Sequence, residues 1–350
     1  MKNEMKMMKQ MACAALVAAV AVGITGCGDK KASAAGGLQP KVAEGAIAAL
    51  VARPLENTSL APLCKQYGLC VTDLMKQAPD KDAQEIIKEL GLDKAENKWV
   101  AVTFDALSAE KIEKAEPDFA VAIATSVDLD KAVAYAQSKE KQKFDKATIA
   151  GVPAYVAKQG EKAEAYMANL DKQLILVANS SAGLEKLIAL YRDGKGASAD
   201  FGSFALGAND VIRLKVAKVG ENVKKALPDP EMLKMVNGVI PDGDKIILGM
   251  GAVELAFGAS DDGKNIKLDL SLDTAADADA EKLVTVAKTG LMALTAQMKE
   301  GAEKDADAKA AYEALQAVKV EAKGKVATLA ASTAADAALK ALGDKAKELK

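Results

Sequence analysis

The sequence contains no histidine. That absence removes Ser-His-Asp and Cys-His nucleophile arrangements, histidine metal sites and the commonest charge switch near neutral pH. Aromatic residues are scarce at 4%, with a single tryptophan. Trp99, Tyr155, Tyr166 and Tyr191 are scattered along the chain, which suits core or rim positions better than a stacking platform. Charge of one sign is also lacking: 47 basic residues balance 49 acidic ones. No global basic field exists, so nucleic acid is not an expected partner. Phosphate loops are missing too. Gly194-Lys195-Gly196 lacks the hydroxyl residue after its lysine, and Gly249-Met250-Gly251 lacks a third glycine and lies in an apparent strand. Ser180-Ser181 has neither a histidine nor the Ser-x-x-Lys spacing of lysine-assisted enzymes.

What is present is a chain of 350 residues, half of them hydrophobic. Such a chain folds, and its length corresponds to about two domains. Lys2, Lys6 and Lys9 open it with positive charge, and an apolar run follows from Met11 to Ile24. The run is too short to span a bilayer as a mature helix and reads as the core of an export signal. It ends in Ile24-Thr25-Gly26-Cys27. These four residues resemble the lipobox of bacterial lipoproteins. The resemblance implies diacylglyceryl transfer to the Cys27 sulfur, cleavage before it, and acylation of the new amine, commonly with palmitate. Residues 1–26 are then the signal and 27–44, rich in Lys, Ala, Ser and Gly, a flexible tether. Acyl chains in that number anchor stably. The expected location is the cell envelope, with the membrane as partner through Cys27 and the folded part outside the cytoplasm.

Cysteine usage fits export. Cys13 leaves with the signal, Cys27 carries lipid, and Cys64 and Cys70 remain as an even pair. An uninterrupted helix would hold their Cα atoms roughly 9 Å apart, beyond disulfide reach. Gly68 between them can supply a turn, so a Cys64–Cys70 disulfide is expected, the alternative being two buried free thiols.

Beyond the tether, short strand patterns alternate with helical ones, and the order recurs. VARPLEN (51–57) matches VAKVGEN (216–222) at four of seven positions. DFAVAIATSVD (118–128) aligns with GKNIKLDLSLD (263–273), and LVANSSAGLEKLIAL (176–190) matches TLAASTAADAALKAL (328–342) at six of fifteen. A tandem duplication follows, 45–195 and 210–350 joined by a linker at 196–209. Strand pairs with short turns favour antiparallel pairing, so the expected class is α+β: two related halves, each an antiparallel-rich sheet with helices on one face. The repeated pattern with its C-terminal hairpin and helix resembles uncharacterised duplicated α+β bacterial envelope proteins, a resemblance that implies no activity.

Thr274 and Thr333 each precede an aspartate by three residues, Asp277 and Asp336, which resembles a capping box. Asp128 is placed to cap its helix similarly. The pairs Asp242/Asp244, Asp261/Asp262 and Asp277/Asp279 do not fit a calcium loop and read as turns and helix starts, so no metal or other cofactor is expected. Val284, Ala287, Leu291, Leu294 and Met298 recur at helical spacing, as a face packed on the sheet rather than a coiled-coil seam. The functional expectation is a non-catalytic lipoprotein that binds or scaffolds an apolar ligand or envelope protein in a groove between halves. The alternative is an envelope-polymer hydrolase using a carboxylate pair.

Overall fold

The computed structural model describes residues 38–70, 73, 75, 81–105, 118–139, 142–160, 162–202, 204–227, 231–303 and 306–348. The signal segment, Cys27 and the first part of the expected tether lie outside them. The strands are β1 (Ala46–Ala52), β2 (Asn97–Asp105), β3 (Phe119–Thr125), β4 (Lys143–Ile149), β5 (Val152–Gln159) and β6 (Lys162–Asn169). They continue as β7 (Leu174–Ala178), β8 (Asp210–Ala217), β9 (Ala252–Ala259), β10 (Asn265–Asp273), β11 (Lys319–Lys323) and β12 (Val326–Ala334). All join one 12-stranded sheet in the order β11-β12-β10-β9-β8-β1-β2-β3-β7-β6-β5-β4. Every pairing is antiparallel. The fold is therefore α+β, as expected.

The helices are α1 (Ala61–Tyr67), α2 (Lys81–Leu90), α3 (Leu129–Lys139), α4 (Ser181–Asp193) and α5 (Val219–Ala226). After them come α6 (Glu231–Lys234), α7 (Gly243–Gly249), α8 (Asp277–Ala302), α9 (Ala306–Gln316) and α10 (Ala335–Glu348).

The chain does not build two separate sheets with a cleft between them. β1 and β8 pair directly, from Ala48↔Val216 to Ala52↔Ile212. Along 46–178 the spatial order is β1-β2-β3-β7-β6-β5-β4, and along 210–334 it is β8-β9-β10-β12-β11. Each run begins with three sequential strands, leaves through helix (α3, or α8 and α9), and returns so that its last strand lies beside its third. A helix follows each, α4 and α10. The three matching sequence windows fall on β1/β8, β3/β10 and β7-α4/β12-α10, places that correspond in the sheet order.

Side chains of directly paired residues share a face of the sheet, so the registers define a front and a back. On the back, Ala49, Ala101, Ala122, Ala124 and Ala178 leave room for α4 to approach closely. Leu184, Leu187 and Ile188 of α4 pack there against Leu174 and Leu176. Ser180 caps α4 by accepting from the Gly183 amide at 3.0 Å. On the front of the same strands, Val121, Ile123, Ile175 and Val177 pack with Leu129 and Val133 of α3 and with Leu92. The first half thus carries helices on both faces, not on one.

The second half differs. β8 runs Ile212-Arg213-Leu214-Lys215-Val216 and β10 runs Ile266-Lys267-Leu268-Asp269-Leu270-Ser271-Leu272. This strict alternation turns the aliphatic set to the front and the polar set to the back. Arg213 and Glu254 pair on the back across β8 and β9, with Nε to Oε1 at 2.6 Å. Helices of this half pack on the front: α10 with α1 around Leu60 and Leu339, and α8 around Ala280 and Val284.

Several local expectations change. Val42 and Ala43, placed in the tether, are buried, and Ala43 bridges to Ala197. Phe201 and Phe204, placed in the linker, are core residues on the back face. Gly249-Met250-Gly251, placed in a strand, is instead the junction between the end of α7 and β9. A short apolar run has no periodicity to distinguish helix from strand. Thr274 donates its hydroxyl to the carbonyls of Ala276 and Lys325 and caps nothing, and Thr333 lies inside β12. Asp128 does act as a cap, accepting from the amides of Asp130 and Lys131 at 3.0 and 3.2 Å.

Candidate functional site

The front of the sheet carries an apolar surface at the junction of the halves. Leu50 faces Leu214, Leu214 faces Leu255, Leu255 faces Leu270, and Leu270 faces Leu329, one row across five strands. Val102 continues it from Leu50 on one side and Val320 from Leu329 on the other. Flanking rows add Ile212, Phe257 and Leu268, then Val216, Val253 and Leu272. Nearly all of these side chains are half-buried, and Leu50, Ile212, Leu214, Val216, Val253, Leu255, Leu268 and Leu270 join no buried cluster. Among the described residues, helices pack on β3, β4, β6, β7, β10, β11 and β12, with at most marginal contact to β1, β8 or β9. Four strand spacings by three alternate rows give a surface on the order of 300 Å². Exposed apolar patches larger than a few hundred Å² mark ligand or partner sites, and this half-buried surface lies at the lower edge of that range.

The row ends under α8. Residues 280–291 of this helix lie on the sheet through Ala280, Val284, Ala287 and Leu291. Past Leu291 it extends beyond the buried cluster, and Met292 and Leu294 are 73% and 49% exposed. The expected sheet-facing stripe therefore holds for Val284, Ala287 and Leu291 but not for Leu294. A groove of about 480 Å³ opens between the outer half of α8, α9 and β11, with Leu291, Leu315, Val318 and Val320 on its wall and Lys288 and Lys299 on α8 beside it. Val320 belongs to both the groove and the row.

A second cluster lies at the start of the chain's helical excursion. Leu69 donates its amide to the Cys64 carbonyl at 2.9 Å and Gly68 to Lys65 at 3.3 Å, the paired bonds of a Schellman turn. Gly68 takes φ 66°, so the turn anticipated from its position is formed. Cys64 and Cys70 are both buried, are not linked by a disulfide, and are brought side by side. Cys64 Sγ donates to Glu56 Oε2 at 3.8 Å. One carboxylate oxygen of Glu56 and the two sulfurs lie within 4.8 Å of one another. Burial, then the hydrogen bond with Cys70 and the charge of Glu56, push the Cys64 thiol far above its ordinary range. Glu56 sits on a 3-10 turn (Leu55–Asn57) steadied by Asn57, whose side chain donates to the Asn97 carbonyl at 2.8 Å.

The structure thus places Cys64 beside Cys70 without a bond between them and adds Glu56, which sequence reasoning missed. The VARPLEN window contained it, but nothing local ties a glutamate to cysteines eight and fourteen residues on. Among the acidic pairs, Asp242 contacts Lys245 and Lys282, Asp261 accepts from Asn209, and Asp262 accepts from Ser260. The leucine row was also missed, although the alternation in β8 and β10 signalled one apolar face each.

No family model matches the chain, and no curated protein matches it. A solved structure titled crystal form I of TP0453 aligns with 90% of this chain and 99% of that one, at 12% identity and a TM-score of 0.38. A likeness at that level carries no argument about either fold or function.

Proposed function

We propose that the chain is a lipid-anchored, non-catalytic protein of the cell envelope that holds an amphiphile with a long acyl chain on the front of its sheet. The half-buried leucine row from Leu50 to Leu270 carries this reading, because covering an aliphatic surface removes it from water and is favourable. Covering about ten methylenes would contribute roughly 8 kcal/mol, the scale of a micromolar complex before association costs. Lys288 and Lys299 stand beside the adjoining groove, where an anionic headgroup would meet opposite charge. Cys27 would tether the domain close to the bilayer that supplies the amphiphile.

The test is titration of the folded chain with a fluorescent fatty acid, with unlabelled fatty acid as competitor. Saturable binding at one equivalent, displaced by competitor, supports the reading. No saturable binding, together with cleavage of envelope glycan by the purified protein, would replace it with the hydrolase alternative.

A further inference from the structure

We infer that Glu56, Cys64 and Cys70 form a binding site for a thiolate-preferring divalent cation, zinc being the best fit. Three donors converge from three pieces of chain: the 3-10 turn, α1 and the segment after its Schellman turn. Two sulfurs and a carboxylate oxygen suit zinc, which takes tetrahedral sites with Zn–S near ~2.3 Å and Zn–O near ~2.0 Å. Such a site sets its sulfurs roughly 3.8 Å apart. The three donor atoms already lie within 4.8 Å of one another, so a contraction of at most about 1.3 Å completes it. Three protein donors leave the fourth position to water.

Binding is a proton exchange. The cation takes both sulfurs as thiolates, and two protons leave to solvent. The same two sulfurs are those expected to form a disulfide, and a linked pair has no thiolate to offer. Linking them passes two electrons to an external disulfide, with the two protons released, and closes the metal site. The site therefore belongs to the reduced chain. Its occupancy would bear on packing, since Leu55, Leu60, Leu63, Tyr67 and Leu69 of the same segment lie against α10 and the sheet. Nothing here depends on the acyl-chain reading, because the cluster has its own residues and its own readout.

The experiment is a zinc titration of the reduced, metal-free chain against a chromophoric chelator, with cobalt as a spectroscopic substitute. One zinc per chain and thiolate-to-cobalt charge-transfer bands are expected. Cys70→Ser should abolish both. Glu56→Gln, at a half-buried position, should weaken zinc binding on the order of 100-fold with the circular dichroism unchanged. A chain with Cys64 and Cys70 linked should bind none. Failure of the reduced chain to take up zinc overturns the inference. So does binding that survives in the Cys64→Ser, Cys70→Ser double variant, which would place the metal elsewhere. Unchanged affinity in Glu56→Gln overturns the three-donor site even where the serine variants fail to fold.

Discussion

Leu50 and Leu214 stand directly opposite each other on the β1–β8 ladder, the one pairing that joins strands 1–7 to strands 8–12. Both point to the front of the sheet, so the seam between the halves is also the middle of the apolar row. Leu214→Asp should lower fatty-acid affinity by at least about tenfold, or ~1.4 kcal/mol, while the far-ultraviolet circular dichroism is retained. Lys267→Asp, on the exposed back of β10, should leave affinity unchanged. Equal losses in the two variants would show that the row does not hold the ligand.

Leu190 and Leu342 occupy matching positions in the aligned sequence windows 176–190 and 328–342, yet their surroundings differ. Leu190 on α4 is fully buried, whereas Leu342 on α10 is 54% exposed. Leu190→Ala should cost about 2–5 kcal/mol, a cavity in a packed core. Leu342→Ala should stay within about 0.5 kcal/mol. Urea denaturation of the two variants measures the contrast.

Gly263 turns the β9–β10 hairpin against the segment before α1. Its φ is +67°, and a Cβ there would sit 2.4 Å from the Ser59 carbonyl oxygen. Gly263→Ala therefore combines left-handed strain with a backbone clash, and should destabilise by about 2–4 kcal/mol. Gly324, also left-handed at φ +57° but with open space around it, isolates the strain alone. Gly324→Ala should cost about 1–2 kcal/mol by the same denaturation assay.

The anchor is tested at Cys27. Cys27→Ala should abolish incorporation of labelled fatty acid and leave precursor or soluble protein. Membrane retention equal to the parent, with label still attached, would refute lipidation at this residue.

Local chemistry is what the sequence determined by itself. The strand alternation of β8 and β10, the Gly68 turn and the Asp128 cap all depend on residues a few positions apart, and short-range sterics and hydrogen bonding decide them. The α+β class followed from the same signals, since period-2 and period-3.6 patterns are written in neighbouring side chains. Tertiary structure decided the rest. Which apolar face of each strand would meet a helix, and which would be left as a half-covered leucine row, depends on β1 pairing with β8 across more than 150 residues. Leu50, Leu214, Leu255 and Leu270 have no local signal in common; only hydrogen-bond register makes them a surface. Glu56 became a neighbour of Cys64 and Cys70 for a related reason. The path from the 3-10 turn through α1 doubles back at Gly68, and the packing of that segment on α10, far along the chain, settles where it lies.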